Sequence, residues 1–382
     1  MQYRKFGKLD WKVSALGFGC MRFPTTGKPE DIDEPEATRM LRYAIDHGVN
    51  YVDTAYPYHG GNSELFVGRA LKDGYREKVR LATKLPCWKV EASEDFDKYL
   101  DEQLVKLQTG QIDFYLLHAL NEKNWRKMRD LGALKWAERA IADGRIGCLG
   151  FSFHDQYAVF QEIVDAYDWT FCQIQYNYMD VENQAGAKGL RYAASNGLAV
   201  VIMEPLLGGR LVDPPDSIQA LWDAAAKKRT PAGWALQWLW SQPEVSVVLS
   251  GMSTLEQVKE NVASAQESAI DALSPEELAL IGRVGEKYQA LSPIPCTKCG
   301  YCMPCPNEVD IPRNFEVYNQ GAMYEKLDHA REAYNLWIPE ENRASACIQC
   351  AECEEKCPQG ITISELMERV HAVLGAGQPY SL

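Results

Sequence analysis

The chain has 382 residues, 46% hydrophobic and 24% charged, with a formal net charge of -13, a composition that suits one large globular core with a smaller module and excludes disorder and fibre. That acidity excludes nucleic acid as a natural partner and disfavours an anionic membrane, and no apolar run reaches the length of a membrane-crossing helix. The opening MQYRKFGKLD lacks the apolar stretch of a secretory leader, so a cytoplasmic location is expected, where clustered cysteines read as metal ligands before disulfides.

Residues 1 to 14 read as a hairpin turned at Gly7-Lys8. From about residue 15 to 265, short runs rich in Val, Ile, Leu and Phe alternate with amphipathic stretches, the pattern of repeated strand-helix units. The predicted strands are ALGFG (15–19), YVDT (51–54), RLATK (80–84), FYLLH (114–118), CLGFS (148–152), CQIQY (172–176), VVIME (200–204) and VVLSG (247–251). Eight parallel strands, each with its helix, predict a closed (β/α)8 TIM barrel. An open doubly wound sheet is disfavoured because no GxGxxG turn follows the first strand.

The helix signals agree with that count. In DEPEATRMLRYAIDHGVN, Pro35 suits a first turn, Met40, Leu41, Ala44 and Ile45 share one face, and Gly48 ends the segment. Ser274, followed by Pro275 and Glu277, predicts a capped helix. Two prolines in SPIPC then mark a boundary, giving a barrel over 1–291 and a second domain over 292–382.

Parallel barrel strands point their C-terminal ends to one mouth, so polar residues ending apolar strands converge there. Asp53 ends the second predicted strand, Tyr58 lies in the loop after it, Lys84 ends the third and His118 the fourth. A buried Asp and Lys can partner each other, and an ammonium beside a phenol is expected to lower its pKa and make Tyr58 a proton donor or acceptor. His118 is placed to orient a carbonyl oxygen. The four describe proton transfer at a carbonyl, with hydride from a cofactor. His59, Trp88 and Trp125 are further candidates, by position, for shaping the mouth.

VDTAYPYHGGNSE, LATK, DFYLLH, GFS, QIQYN and VVLSGMSTLEQVKEN, in this order and spacing, resemble the aldo-keto reductase superfamily over roughly residues 3 to 290. The resemblance implies a catalytic tetrad of Asp53, Tyr58, Lys84 and His118, with Tyr58 as general acid, Lys84 and Asp53 tuning it and His118 assisting orientation. It further implies a nicotinamide site. Ser152 and Gln173 match positions that bind the carboxamide, although Phe153 stands where an asparagine is usual, and Met203 replaces the tyrosine on which the ring stacks. Met21, after the first strand, belongs to the same site by this resemblance. Leu206 and Gly208 match the segment covering the pyrophosphate, and Gly251, Ser253, Gln257 and Asn261 the adenosine end. Gln257 replaces an arginine that often pairs with the 2′-phosphate, and Lys259 is the nearest basic residue, so NADP(H) and NAD(H) both stay open.

Of twelve cysteines, eight fall in two runs, Cys296, Cys299, Cys302, Cys305 before Pro306 and Cys347, Cys350, Cys353, Cys357 before Pro358. A CxxCxxC loop can wrap three thiolates around a 4Fe-4S cube while a more distant cysteine closes the fourth corner, so two runs predict two clusters. In two-cluster ferredoxins the fourth cysteine of each run ligates the other cluster. On that pattern Cys296, Cys299, Cys302 and Cys357 hold one, and Cys305, Cys347, Cys350 and Cys353 the other. Residues 306–346 have room for two helices, which resembles the mainly helical ferredoxin modules, and Ser364 before Glu365 starts a closing helix. Structural zinc is the competing metal. The remaining Cys20, Cys87, Cys148 and Cys172 read as small buried hydrophobes.

The leading expectation is an oxidoreductase that reduces a small carbonyl compound, or oxidises the alcohol, with its clusters exchanging electrons with a protein partner. A hydride carries two electrons and a cluster moves one, so wiring them needs a flavin or a radical step. Two alternatives are a reductase whose clusters are structural or docking elements, and an electron carrier with a non-catalytic barrel.

Overall fold

The structure, a computed structural model, describes residues 1–380. Strands β1 (Tyr3–Lys5) and β2 (Lys12–Ser14) form an antiparallel hairpin. They are followed by β3 (Leu16–Gly19), β4 (Tyr51–Asp53), β5 (Arg80–Leu85), β6 (Ile112–Leu120), β7 (Ile146–Phe153), β8 (Phe171–Gln175), β9 (Ala199–Met203) and β10 (Val245–Gly251). These eight close in chain order into a parallel barrel, with β10 beside β3. All eight expected strands are present, because a barrel strand is covered on both faces and so reads as a nearly unbroken apolar run. The hairpin plugs one end of the barrel interior: the Phe6 ring lies 4.7 Å from Phe114 and 5.6 Å from Phe171. Its turn requires Gly7, at φ 55°, where a Cβ would come within 2.6 Å of the Ala199 nitrogen.

The surrounding helices follow their sequence signals. Asp33 caps the helix Glu34–Asp46 through the Glu36 N–H at 3.3 Å, and Met40, Leu41, Ala44 and Ile45 are buried. Ser274 and Glu277 form a reciprocal capping box, with N–H to side-chain distances of 3.2 and 2.9 Å, ahead of the helix Pro275–Ala290. Among the described residues no helix is long and apolar enough to cross a membrane.

The chain divides into two compact units, one of Met1–Gly208 with Ala232–Leu278, the other of Gly209–Pro231 with the chain from Ala279 onward. Within the second, Gly209–Pro231 is tied to the tail by Arg210, which donates to Gln320 Oε1 at 2.9 Å, and by a Lys326–Asp213 ion pair. Its core gathers Phe315, Tyr318, Tyr334, Met367 and Val370 from the helices Ile311–Met323, Leu327–Trp337 and Ile363–Leu374. The two helices expected between the cysteine runs are the first two of these. The closing helix starts at Ile363 after Thr362, because Ser364 is engaged elsewhere: its N–H donates to Glu354 Oε1 at 2.8 Å.

The first unit is locked by Arg4, a buried cation with no carboxylate partner in its hydrogen bonds. Its guanidinium donates to the carbonyls of Gln242 at 3.2 Å, Val245 at 2.8 Å, Ser268 at 2.9 Å and Trp240. Trp240 ends the helix Pro231–Trp240, so the cation meets carbonyls at the negative end of a helix. Burial lowers the Arg4 pKa to about 10, still far above neutrality, so the charge persists. Replacing Arg4 with Met should cost about 3 kcal/mol, since buried carbonyls lose charge-assisted bonds. Calorimetry should show the thermal transition of the barrel moving down by several degrees; an unmoved transition would mean that water replaces the cation.

Candidate functional site

Strands β4, β5 and β6 are neighbours in the barrel, and this brings three of the four expected mouth residues together. Lys84 and Asp53 are both fully or almost fully buried, and Lys84 Nζ donates to Asp53 Oδ1 and to the Thr54 carbonyl, each at 2.7 Å. The same ammonium stands 3.5 Å from the Tyr58 hydroxyl, and the His118 ring lies 6.4 Å from the Tyr58 ring, nearly perpendicular to it. All four residues therefore meet at one mouth. Trp88 flanks them, 5.1 Å from His118 and 42% exposed. Trp125 does not: it is buried, with its indole N–H on Glu162, because its helix turns that face to the core. His59 is held beside the loop carbonyl of Pro29 at 2.6 Å.

The electrostatics correct one expectation. Burial raises the Tyr58 pKa, and the Lys84 charge only partly offsets that rise, so the phenol stays protonated at neutral pH. Burial by itself would lower the Lys84 pKa, but the Asp53 carboxylate and Tyr58 reverse the balance and raise it. Burial, then the Lys84 charge, pushes His118 well below the usual histidine range, which leaves a neutral imidazole. Its Nδ1 is buried without a partner. Behind Lys84, the buried Glu64 carboxylate accepts from Thr83 Oγ1 at 2.7 Å and from Gln103, while Gln103 also donates to the Lys84 carbonyl at 3.1 Å. This network fixes the β5 backbone from the side away from the mouth.

The positions expected to bind a nicotinamide cofactor lie around the next strands. Ser152 and Gln173 are buried register partners on β7 and β8. Ser152 Oγ accepts from the Ala119 N–H at 2.8 Å, and Gln173 contacts Met203 Sδ at 3.6 Å through its amide nitrogen. The Gln173 carbonyl oxygen is buried and has no hydrogen-bond partner. Phe153 packs into the core against Phe160. Met21 is half exposed after β3, and Leu206 and Gly208 lie in the segment after β9, with Gly208 at φ 66°. Gln257 and Asn261 are held internally: Gln257 accepts from the Ser253 N–H at 2.8 Å, and Asn261 donates to Ser250 at 3.1 Å. Sequence reasoning missed Arg22. Ser253 Oγ donates to its carbonyl at 2.9 Å, and its side chain lies 2.8 Å from where a Cβ on Gly251 would sit. Only strand closure, which sets β10 beside β3, brings that arginine to the Gly251 loop.

In the second unit, Cys296, Cys299, Cys302 and Cys357 line one cavity with Ile311, Phe315, Ile361 and Ile363. That is the set expected from exchange of the fourth cysteine. Cys347 and Cys350 lie near Cys353, and burial, with the Glu354 carboxylate and those two thiols, pushes Cys353 up to about 11. Cys305 packs on the same apolar core as Cys347, Cys353 and Cys357. Among the described residues no three His, Cys, Asp or Glu side chains meet as a single metal ion would require; the thiols surround a space instead. Two asparagines of the helix Ile311–Met323 hold the runs in place. Asn319 bonds both backbone groups of Ile294, at 3.0 and 2.7 Å, and Asn314 accepts from the Ala344 N–H at 2.8 Å. Of the other cysteines, Cys20, Cys87 and Cys172 are buried as expected, and Cys148 is half-buried.

Two family models match this chain in succession. Residues 15–285 match the aldo/keto reductase family, and residues 295–362 match the 4Fe-4S dicluster domain. L-galactose dehydrogenase of Arabidopsis thaliana is 27% identical over 317 residues, 76% of this chain and 97% of that protein. Among solved structures, the aldo-keto reductase AKR11C1 from Bacillus halodurans in its holo form is 28% identical with a TM-score of 0.63, covering 74% of this chain and 96% of that one. An aldo-keto reductase from Klebsiella pneumoniae in complex with NADPH is 25% identical with a TM-score of 0.59, covering 74% and 95%. The chain is thus an oxidoreductase of the aldo/keto reductase family that carries a 4Fe-4S dicluster domain after its barrel.

Proposed function

We propose that the protein reduces a small carbonyl compound, or oxidises the corresponding alcohol, with a nicotinamide cofactor at the barrel mouth. The observation that carries this reading is the Lys84 ammonium, held by Asp53 and Thr54 and standing 3.5 Å from the Tyr58 hydroxyl. Because Lys84 donates to the phenol oxygen, the Tyr58 proton is free to go to a carbonyl oxygen, and the ammonium stabilises the phenolate left behind. His118, kept neutral, donates a hydrogen bond to the same oxygen without adding a second cation. When bound, the nicotinamide supplies the hydride. The unpartnered Gln173 oxygen beside Ser152 suits its carboxamide, and the NADPH complex of the Klebsiella relative supports the choice. Arg22, against Gly251 and Ser253, is the cation this chain offers to the cofactor's phosphates.

The cysteine unit fits two 4Fe-4S clusters, which supply one-electron transfer when bound. The triplet cysteine spacing followed by proline, with the match to the 4Fe-4S dicluster domain, favours cubes over zinc. In both runs, left-handed residues flank the second cysteine, a backbone shape that turns N–H groups toward an anion. A protein that gives or takes single electrons is the partner this implies, and the cytoplasm is the compartment.

Four measurements test these assignments. Tyr58→Phe should lower the turnover of 4-nitrobenzaldehyde with NADPH by about 10²–10⁴-fold. In the unaltered protein, the reduction rate should hold through neutrality and fall only in strongly alkaline solution, since the acid form of Tyr58 is lost as pH rises through its raised pKa; a fall near pH 7 would sink the role of Tyr58. Arg22→Ala should raise the KM for NADPH while leaving kcat near its original value, and an unchanged KM would remove Arg22 from the site. In anaerobically prepared Cys357→Ala, iron and sulfide should drop to about half, with one cluster signal remaining in electron paramagnetic resonance; full iron content would remove Cys357 from the ligands.

A further inference from the structure

The two cysteine loops repeat one design and differ in one charge. Lys298 and Gln349 each precede the second cysteine of their run, and both are left-handed, at φ 56° and 58°. The residues after that cysteine, Gly300 and Ala351, are also left-handed, at φ 77° and 61°. The Gln349 N–H donates to Cys347 Sγ at 3.4 Å, and the Lys298 backbone favours the thiolate of Cys296. Each side chain then reaches a glutamate on a helix at the same distance: Lys298 donates to Glu316 at 3.0 Å and Gln349 to Glu368 at 3.0 Å. Cys299 and Cys350, the second cysteines, are both exposed.

Backbone shape and exposure of the second cysteine both tune the potential of a cluster, and here they are matched between the two loops. Charge is not matched. Around the first loop, Lys298 and Arg313 share the carboxylate of Glu316, Arg313 at 2.8 Å, and with Asp310, which accepts from the Arg313 N–H at 3.2 Å, these four groups balance. Around the second, a neutral amide meets Glu368, and among the described residues no ion pair involves that carboxylate. Glu352, Glu354 and Glu355 stand beside Cys353, with Lys356 as the only cation in that stretch. An added electron is opposed less by the balanced first environment than by the carboxylate-rich second, and at these short separations the difference survives partial screening.

We propose that the site formed by Cys296, Cys299, Cys302 and Cys357 has the higher reduction potential of the two, and that Lys298 and the Gln349–Glu368 pair set this order. One electron entering the unit from a low-potential donor therefore rests at the first site, and the second site fills only after it. The inference rests on the reading that both runs hold clusters.

The test is a redox titration of the anaerobically purified full chain with dithionite at low ionic strength, followed by electron paramagnetic resonance. Two one-electron waves are expected. Lys298→Gln should lower the upper wave and leave the lower one in place, Gln349→Lys should raise the lower wave alone, and the double exchange should narrow the gap or invert it. The order is overturned if Lys298→Gln moves the lower wave, if neither substitution moves either wave at full iron content, or if a single wave appears that neither can split. Absence of iron and of any cluster signal would instead strike the cluster reading itself, so the two failures are told apart by the metal analysis.

Discussion

A primary ammonium buried at the end of a barrel strand is the constraint around which the first unit is arranged. Lys84 has no access to water, and leaving such a charge unpaired would cost several kcal/mol. The neighbouring strand and the residue just after it supply the two remedies at 2.7 Å, the Asp53 carboxylate and the Thr54 carbonyl. Two of the three ammonium protons are thereby spoken for, and the third points to the phenol of Tyr58. The buried bonds of Glu64 and Gln103 behind β5 keep the lysine backbone from shifting, so the Lys84–Tyr58 separation is set by rigid elements and not by a loop.

Electrostatic balance then decides what each group can do. Desolvation and the Lys84 charge act in opposite directions on Tyr58, and desolvation is the larger, so the phenol is stored as an acid. On His118 the same two influences add, and the imidazole stays uncharged. One cation thus adds to burial in keeping the histidine neutral and eases departure of the tyrosine proton, and both effects follow from its position.

The second unit solves a similar problem with asparagine. Loops that expose sulfur toward a shared cavity cannot satisfy their own flanking backbone groups, and Asn314 and Asn319, five residues apart on one helix, bind the segments leading into the two runs. That helix acts as a ruler between the runs. The chemistry of the thiols also differs from that of the buried single cysteines: Cys172 and Cys87 are inert through burial, whereas Cys299 and Cys350 reach the surface.

Much of this was legible in the residues alone. The eight strands could be read because each is apolar on both faces, the helix starts because Asp33 and Ser274 are followed at the right spacing by groups that complete a cap, and the cysteine runs because ligand spacing is a local property. Asp53, Lys84 and His118 stood out as polar ends of apolar strands. What stayed hidden depends on neighbours distant in sequence. The direction of the Tyr58 shift depends on how deeply the loop is buried, the burial of Trp125 on which helix face meets the core, and the approach of Arg22 to Gly251 on closure of β10 against β3. The grouping of Gly209–Pro231 with the cysteine unit likewise rests on bonds from Arg210 and Asp213 to residues more than a hundred positions away. Periodicity and spacing encode which groups are present and on which element; desolvation and partner choice are properties of the folded surroundings, and only the tertiary structure decides them.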